Sequence, residues 1–296
     1  MENSLHMENS LHMEFSLIVC VYAKENPLYL SQCLQSIEDQ SIRPSEIILV
    51  KDGPLGDELE EVLNNSQLDM TFIALHKNMT QGIARAKGVE AAKYEWVALM
   101  DSDDFCLSDR FEKQLEFIIK NPNLDILGSQ VVEFEEFDSI NRHKSPESLK
   151  NHLKGFLTLK VVPITHEEII TYAKIRNPFN AMTVMFKREK ALQAGNFRYF
   201  PGFEDYDLWV RMIKAGAVCA NHPNVLVHVR VGSGMYKRRK GLLYIRFECK
   251  MQRQLKSLGL IGRVQFIKNI MLRIPIRLLP AWGVRILYNR FARSRL

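Results

Sequence analysis

The sequence predicts an α/β fold built on a mainly parallel sheet, and three observations carry that expectation. Apolar runs and amphipathic helical stretches alternate from Phe15 onward, which implies parallel strands joined by right-handed crossovers. The runs FSLIVCVY, EIILV and VALM are continuously apolar, as in strands covered on both faces. Acids stand directly after two of them, Asp52 after EIILV and Asp101, Asp103 and Asp104 after VALM, and ligands of open α/β sheets lie outside the carboxyl ends of the strands.

The elements follow in order. Phe15 to Tyr22 is a strand, and Pro27 to Gln40 a helix with Tyr29, Leu30, Cys33, Leu34 and Ile37 at helical spacing. Glu46 to Val50 is a strand, Asp57 to Asn65 a helix, Thr71 to Leu75 a strand and Gln81 to Lys93 a helix whose Ala84, Gly88, Ala91 and Ala92 permit close approach of the sheet or a ligand. Val97 to Met100 follows as a buried strand, then a helix from Ser108 to Lys120 and a strand from Asp125 to Val132. Phe137 to Ile175 is polar with little periodicity and is read as loops. Asn177 to Phe186 is read as a return strand, Glu204 onward as a helix with Leu208, Trp209, Met212 and Ile213 on its apolar stripe, and Val225 to Arg230 as another strand. Gly232 to Lys240 reads as a basic lid in which Arg238 and Arg239 could close over a diphosphate or stay solvated. His228, near an apolar strand, is left without a chemical role.

Composition bounds the function. The 296 residues, 46% of them hydrophobic, can bury a large core. Five scattered cysteines without metal spacing suit a reducing compartment. The net charge of +6 hides a division: residues 237–296 hold 16 Lys and Arg against the acid Glu248, a balance of +15, while the other 24 bases and 33 acids give −9. Such asymmetry points to a polyanionic partner surface. Within this tail, Ile261, Val264, Ile267, Ile270, Met271 and Ile274 share one face and Arg263, Lys268, Arg273 and Arg277 lie elsewhere; Pro280 precedes a second helix with Trp282, Ile286 and Leu287. A helix lying in a membrane interface fits this pattern, and packing onto the body or a second subunit is the alternative. No run reaches the length of a spanning helix. The repeated hexapeptide MENSLH in residues 1–14 looks like a duplicated start and is set aside. The organisation expected is thus residues 1–14 as a disordered start, 15–236 as the catalytic body and 237–296 as a basic membrane-associating region.

Three carboxylates crowded after a buried strand repel one another unless a cation joins them, so Asp101 and Asp103 are candidate ligands of a divalent metal; capping of the next helix by Asp101 or Asp104 is the alternative. Asp52, before Gly53-Pro54, is a ligand candidate or a turn residue. Arg85 could hold an anion or be solvated. Glu204 and Asp205 open a helix, where acids are favoured by the helix dipole, yet a carboxylate there could also accept a proton in catalysis. Neither G-x-G-x-x-G nor G-x-x-x-x-G-K-[ST] occurs, so phosphate is expected to be held through the metal.

The ordered stretches FSLIVCVYAKENPLYLSQCLQSIEDQ, EIILVKDGP, NMTQGIARAKG, WVALMDSDDFCLSDRFEKQ and FEDYDLWVRMIKAG resemble the family 2 glycosyltransferases of GT-A fold, above all bacterial enzymes that build O-antigen or exopolysaccharide repeat units. The likeness runs from Phe15 to about Gly234. It implies a metal-dependent, inverting hexosyltransferase using Mn²⁺ or Mg²⁺, a UDP-sugar donor (glucose or galactose) and a polyprenyl-diphosphate-linked acceptor such as GlcNAc-diphosphoundecaprenol. It implies Asp52 at the nucleotide base, Asp101 and Asp103 at ribose and metal, Tyr22, Glu25 and Arg85 in the nucleotide-sugar site, and Asp205 as catalytic base with Glu204 as the other candidate. Lys51, Pro54 and Lys87 depart from the usual family residues. A peripheral enzyme on the cytoplasmic face of the inner membrane is expected, with no nucleic-acid partner. A sugar-phosphate nucleotidyltransferase would share the sheet but needs a Gly-rich loop after the first strand, and VYAKENP is not one. A nucleic-acid binder would leave Asp52, Asp101, Asp103 and Asp205 without a role.

Overall fold

The computed structural model describes residues 13–134, 157–231, 241–278 and 294–295. The expected alternation is present as β1 (Phe15–Val21), α1 (Pro27–Glu38), β2 (Glu46–Lys51), α2 (Asp57–Asn64), β3 (Thr71–Ala74), α3 (Gln81–Ala91) and β4 (Trp96–Asp101). β1 pairs in parallel with β2 and β4, and β2 with β3. Local chemistry sets the boundaries: α1 starts where Pro27 follows Asn26, whose side chain accepts the Leu28 N–H at 2.9 Å.

Next come β5 (Phe105–Cys106), α4 (Arg110–Lys120), β6 (Ile126–Phe134), β7 (Leu157–Lys160), α5 (His166–Ala173), a 3₁₀ turn (Ala181–Thr183), β8 (Met185–Lys187), α6 (Arg188–Gln193), α7 (Glu204–Lys214), β9 (Cys219–Arg230), α8 (Gly241–Ser257), α9 (Arg263–Leu278) and β10 (Ser294–Arg295). Beyond β4 the sheet turns antiparallel through β8, β6, β7 and β10, with β9 parallel to β6. The parallel half is therefore the part that carries Asp52 and Asp101.

Two elements differ from the expectation. Asn177 to Phe186 is not one strand; only Met185–Lys187 is. The Asn180 side chain donates to the Ser129 carbonyl and Thr183 Oγ1 to the Asn180 carbonyl, so side chains bend the backbone before the ladder begins. β9 starts six residues before Val225, and its register on β6 slips between Ser129 and Val131, at the level of Pro223, which cannot donate to a ladder. The polar stretch read as loops contains β7 and α5, the latter closed by a capping box between Thr165 and Glu168.

The sheet is covered on both faces. One core layer holds Phe15, Leu30, Phe111 and Leu115; the other gathers Phe186, Phe197 and Trp209 and takes in Met251, Leu255 and Ile261 from the tail. Packing onto the body is thus what α8 does. α9 is turned inside out: its polar residues Asn269, Arg273 and Arg277 face inward, while Val264, Ile267, Met271, Leu272 and Leu278 are largely exposed. Among the described residues no helix is long and apolar enough to cross a membrane. The MENSLH repeat, the polar segment 135–156, the basic lid with Arg238 and Arg239, and the helix expected after Pro280 lie outside the described residues.

Candidate active site

The strand ends bring the acids to one level, because Cys20 of β1 lies opposite Asp101 of β4 and Val21 opposite Lys51 of β2. Asp52 is buried, and its Oδ1 accepts the Met79 N–H at 2.6 Å, tying the end of β2 to the loop before α3. Gly53 sits at φ +94°, and a Cβ there would come within 2.7 Å of the Asn78 nitrogen; only glycine permits the two loops to meet. Asp52 therefore ties together the two loops at the end of β2.

Arg85 is not solvated. It is buried, and its Nη2 lies 2.6 Å from Asp101 Oδ1, which also accepts from Gln81 Nε2 at 3.0 Å. Neither Asp101 nor Asp104 caps α4; its first turn follows Asp109. Asp104 is buried and accepts the Arg230 N–H at 2.8 Å, while Arg230 Nε donates to the Asp103 carbonyl at 3.0 Å. Burial, with Asp103 and Asp101 nearby, holds the Asp104 carboxyl well above its usual range. It is a structural residue of the turn, so the cluster of three reduces to the pair Asp101 and Asp103. Burial pushes the Asp103 carboxyl up to about 7, helped by the charges of Asp101 and Glu25. Glu25 accepts from Ser102 Oγ at 2.6 Å, which holds the loop after β1 to the acid turn; Tyr22 stands exposed at the rim.

That excess of negative charge tests whether a metal fits. Mn²⁺ and Mg²⁺ are bound through one or two carboxylates with phosphate oxygens and water completing the shell. Among the described residues no three His, Cys, Asp or Glu side chains are placed to hold a metal by themselves. The Asp101 and Asp103 pair fits a metal that brings a diphosphate with it.

Facing this pair is the start of α7. Gly82 makes the approach possible: a Cβ on it would lie 2.7 Å from the Arg198 carbonyl and 3.0 Å from Glu204 Cβ. Burial pushes the Glu204 carboxyl up to about 7, with Asp205 adding and Arg85 opposing. Asp205 Oδ2 accepts from Asn177 Nδ2 at 2.7 Å, and its Oδ1 from the Tyr206 N–H at 2.7 Å. The third acid of this turn, Asp207, is wholly buried and clamped by Arg198 and Arg211, which leaves Glu204 and Asp205 for the cleft. His228 packs its ring on Phe105 at 5.1 Å, the structural place expected of it.

A cleft of about 790 Å³ is lined by Arg85, Asp101, Glu204 and Asp205 of the body, by Tyr244 and Phe247 of α8, and by Leu272 and Arg273 of α9. Reading the sequence missed Gln81, Asn177 and Arg230. Asn177 stood in the Asn-Pro-Phe-Asn stretch taken for a strand, whereas nothing local marks Arg230, which reaches Asp103 across more than a hundred residues of chain.

The fold has known counterparts. A mannosyltransferase from Pyrobaculum calidifontis, solved with GDP-Man and Mn²⁺, superposes with a TM-score of 0.59 at 16% identity, covering 99% of this chain and 83% of that one. TarS 1–349 of S. aureus gives 0.55 at 15%, covering 95% and 73%. The fold is accordingly GT-A. In sequence, the chain is 34% identical over 278 residues to the amylovoran biosynthesis glycosyltransferase AmsE of Erwinia amylovora, covering 93% of this chain and 98% of that one. It is 34% identical over 284 residues to the UDP-Gal:alpha-D-GlcNAc-diphosphoundecaprenol beta-1,3-galactosyltransferase of Escherichia coli, covering 95% and 98%. Residues 16–185 match the family described as Glycosyl transferase family 2. By this match and by relatives aligned over nearly their whole length, the chain belongs to glycosyl transferase family 2.

Proposed function

We propose that this glycosyltransferase moves a hexose, glucose or galactose, from a UDP-sugar to a saccharide carried on a polyprenyl diphosphate, in the assembly of O-antigen or exopolysaccharide repeat units. The observation that carries the reading is the cleft itself, which Asp101 at the end of β4 and the helix-opening pair Glu204 and Asp205 all line, in a chain akin along its length to a galactosyltransferase whose name states those substrates. Asp52 contacts the base, with Tyr22 and Glu25 at the nucleotide's rim, and Arg85 holds Asp101 in place. Asp101 and Asp103 would hold Mn²⁺ or Mg²⁺, which when bound neutralises the departing diphosphate. Asp205 takes the proton of the acceptor hydroxyl as that oxygen attacks the anomeric carbon opposite the leaving group, so the configuration inverts. Asn177 orients the Asp205 carboxylate for this task. The enzyme works as a peripheral protein on the cytoplasmic face of the inner membrane, where such acceptors are exposed.

The test is a panel of UDP-sugars offered with a synthetic GlcNAc-diphospholipid and Mn²⁺, with products read by mass. One hexose transferred in β linkage is expected; the absence of transfer from every UDP-sugar to every diphospholipid overturns the reading.

A further inference from the structure

The part of the cleft wall that holds Arg176, Arg273 and Arg277 is cationic. Arg273 Nη1 lies 2.6 Å from Glu248 Oε1 and Arg277 Nη2 3.1 Å from Glu248 Oε2, so two guanidinium groups meet at one fully buried carboxylate. Arg273 also donates to the Ile175 carbonyl, next to Arg176, which is exposed and stands 5.9 Å from the Tyr172 ring centre. All three arginines line the cleft that holds Glu204 and Asp205, and Lys160 and Glu133 add one charge of each sign. Glu248 offsets one of the three guanidinium charges, leaving two positive charges over.

An apolar residue stands next to Arg273 in the same wall. Leu272 lines the cleft and is also 67% exposed, beside the outward-facing Met271. The cleft therefore presents carboxylates, guanidinium groups and an apolar, solvent-facing residue in its lining. A sugar joined through a diphosphate to a lipid presents hydroxyls, two negative charges and hydrocarbon, and arginine forks are suited to phosphate oxygens.

We propose that Arg176, Arg273 and Arg277 form the subsite for the acceptor's diphosphate, with the lipid leaving over Leu272 onto the outer face of α9. The proposal rests on the lipid-linked acceptor described above and adds where on this chain its phosphates lie. The tail is then part of the active site as well as a contact with the membrane.

Arg176 is exposed, so its substitution leaves the core intact. Binding of farnesyl diphosphate, which carries no sugar, is measured by calorimetry on the full chain, with phosphatidylglycerol vesicles as the competing source of phosphate. Arg176→Ala is expected to weaken farnesyl diphosphate binding about tenfold, the value of one charge-assisted hydrogen bond, and Arg176→Glu more. The KM for a GlcNAc-diphospholipid rises with it while kcat changes little. Farnesyl diphosphate binding equal in wild type, Arg176→Ala and Arg176→Glu overturns the subsite, as does the same Arg176 dependence for vesicles alone. Arg176-dependent binding without transfer from any UDP-sugar leaves the subsite standing and removes the functional reading.

Discussion

Glu204 carries an electrostatic cost at the start of α7, and this makes its role measurable. Its carboxyl is raised from 4.5 to about 7 by burial and by Asp205, so the folded protein binds a proton that the unfolded chain has released between those values. Stability from this group is therefore full below pH 4.5 and lost as pH rises toward 7. Glu204→Gln should stabilise the protein at pH 8 by on the order of 2 kcal/mol and leave it little changed at pH 4.5; equal melting shifts at both pH values would refute the buried carboxylate. Asp205→Asn should lower kcat by at least ~10² with the UDP-sugar KM little moved, since a base acts in the chemical step; a near-native rate transfers the role to Glu204. Asp103→Ala should abolish Mn²⁺-dependent transfer in a folded protein, and full activity of wild type in chelator would remove the metal from the site altogether. The positions of Asp52, Asp101 and Glu204 were legible because each follows a change of hydrophobic period. Gln81, Asn177 and Arg230 were not, because their meaning is in partners far along the chain.

Among the elements, the parallel strands and their helices were readable to within two residues, since continuous apolar runs and helical spacing leave few alternatives. α8 was passed over because its bases merged into the charge of the tail. What α8 and α9 do could not be read at all: Asn269 Nδ2 donates to the Lys174 carbonyl at 2.9 Å and to Gln252 Oε1 at 2.7 Å, and Arg273 reaches the Ile175 carbonyl. These bonds fix residues 174–175 just ahead of Asn177, which holds Asp205. Asn269→Ala should then cost about 1–3 kcal/mol of stability through the buried polar groups it strands. It should also lower kcat several-fold without raising the UDP-sugar KM, because the nucleotide side of the cleft does not depend on it. A variant with the stability loss but an unchanged kcat would show that α9 only packs. For the same reason, cutting the chain at Leu260 is expected to damage catalysis as well as membrane contact.

At the scale of the whole molecule, an acidic body and a basic tail meet at a helix that turns Val264, Ile267, Met271, Leu272 and Leu278 away from the protein. Sequence alone counted Arg273 and Arg277 among the bases available to an anionic surface, but both turn inward to Glu248. The membrane contact proposed here therefore leans more on the apolar face of α9 than the charge count suggested. Val264, Ile267 and Met271 lie at helical spacing and are each more than half exposed, an arrangement that suits a helix half-sunk in an interface. Burying a side chain of this size contributes roughly 1.5 kcal/mol, and this part is not screened by salt, whereas the attraction of Lys and Arg to anionic lipid falls away beyond a Debye length. Vesicle co-sedimentation separates the two. High salt should release the wild-type protein only in part. Ile267→Glu with Met271→Glu should weaken binding to anionic vesicles by about 10² at low salt, and high salt should then release the rest. Because neither side chain is one of the arginines of the proposed subsite, the effect of Arg176→Ala on farnesyl diphosphate binding should persist in the double variant, so that loss of the membrane and loss of the acceptor subsite are read independently. Equal sedimentation of wild type and double variant in all lipids would refute membrane anchoring through α9 and return its outer face to a contact with a second protein surface.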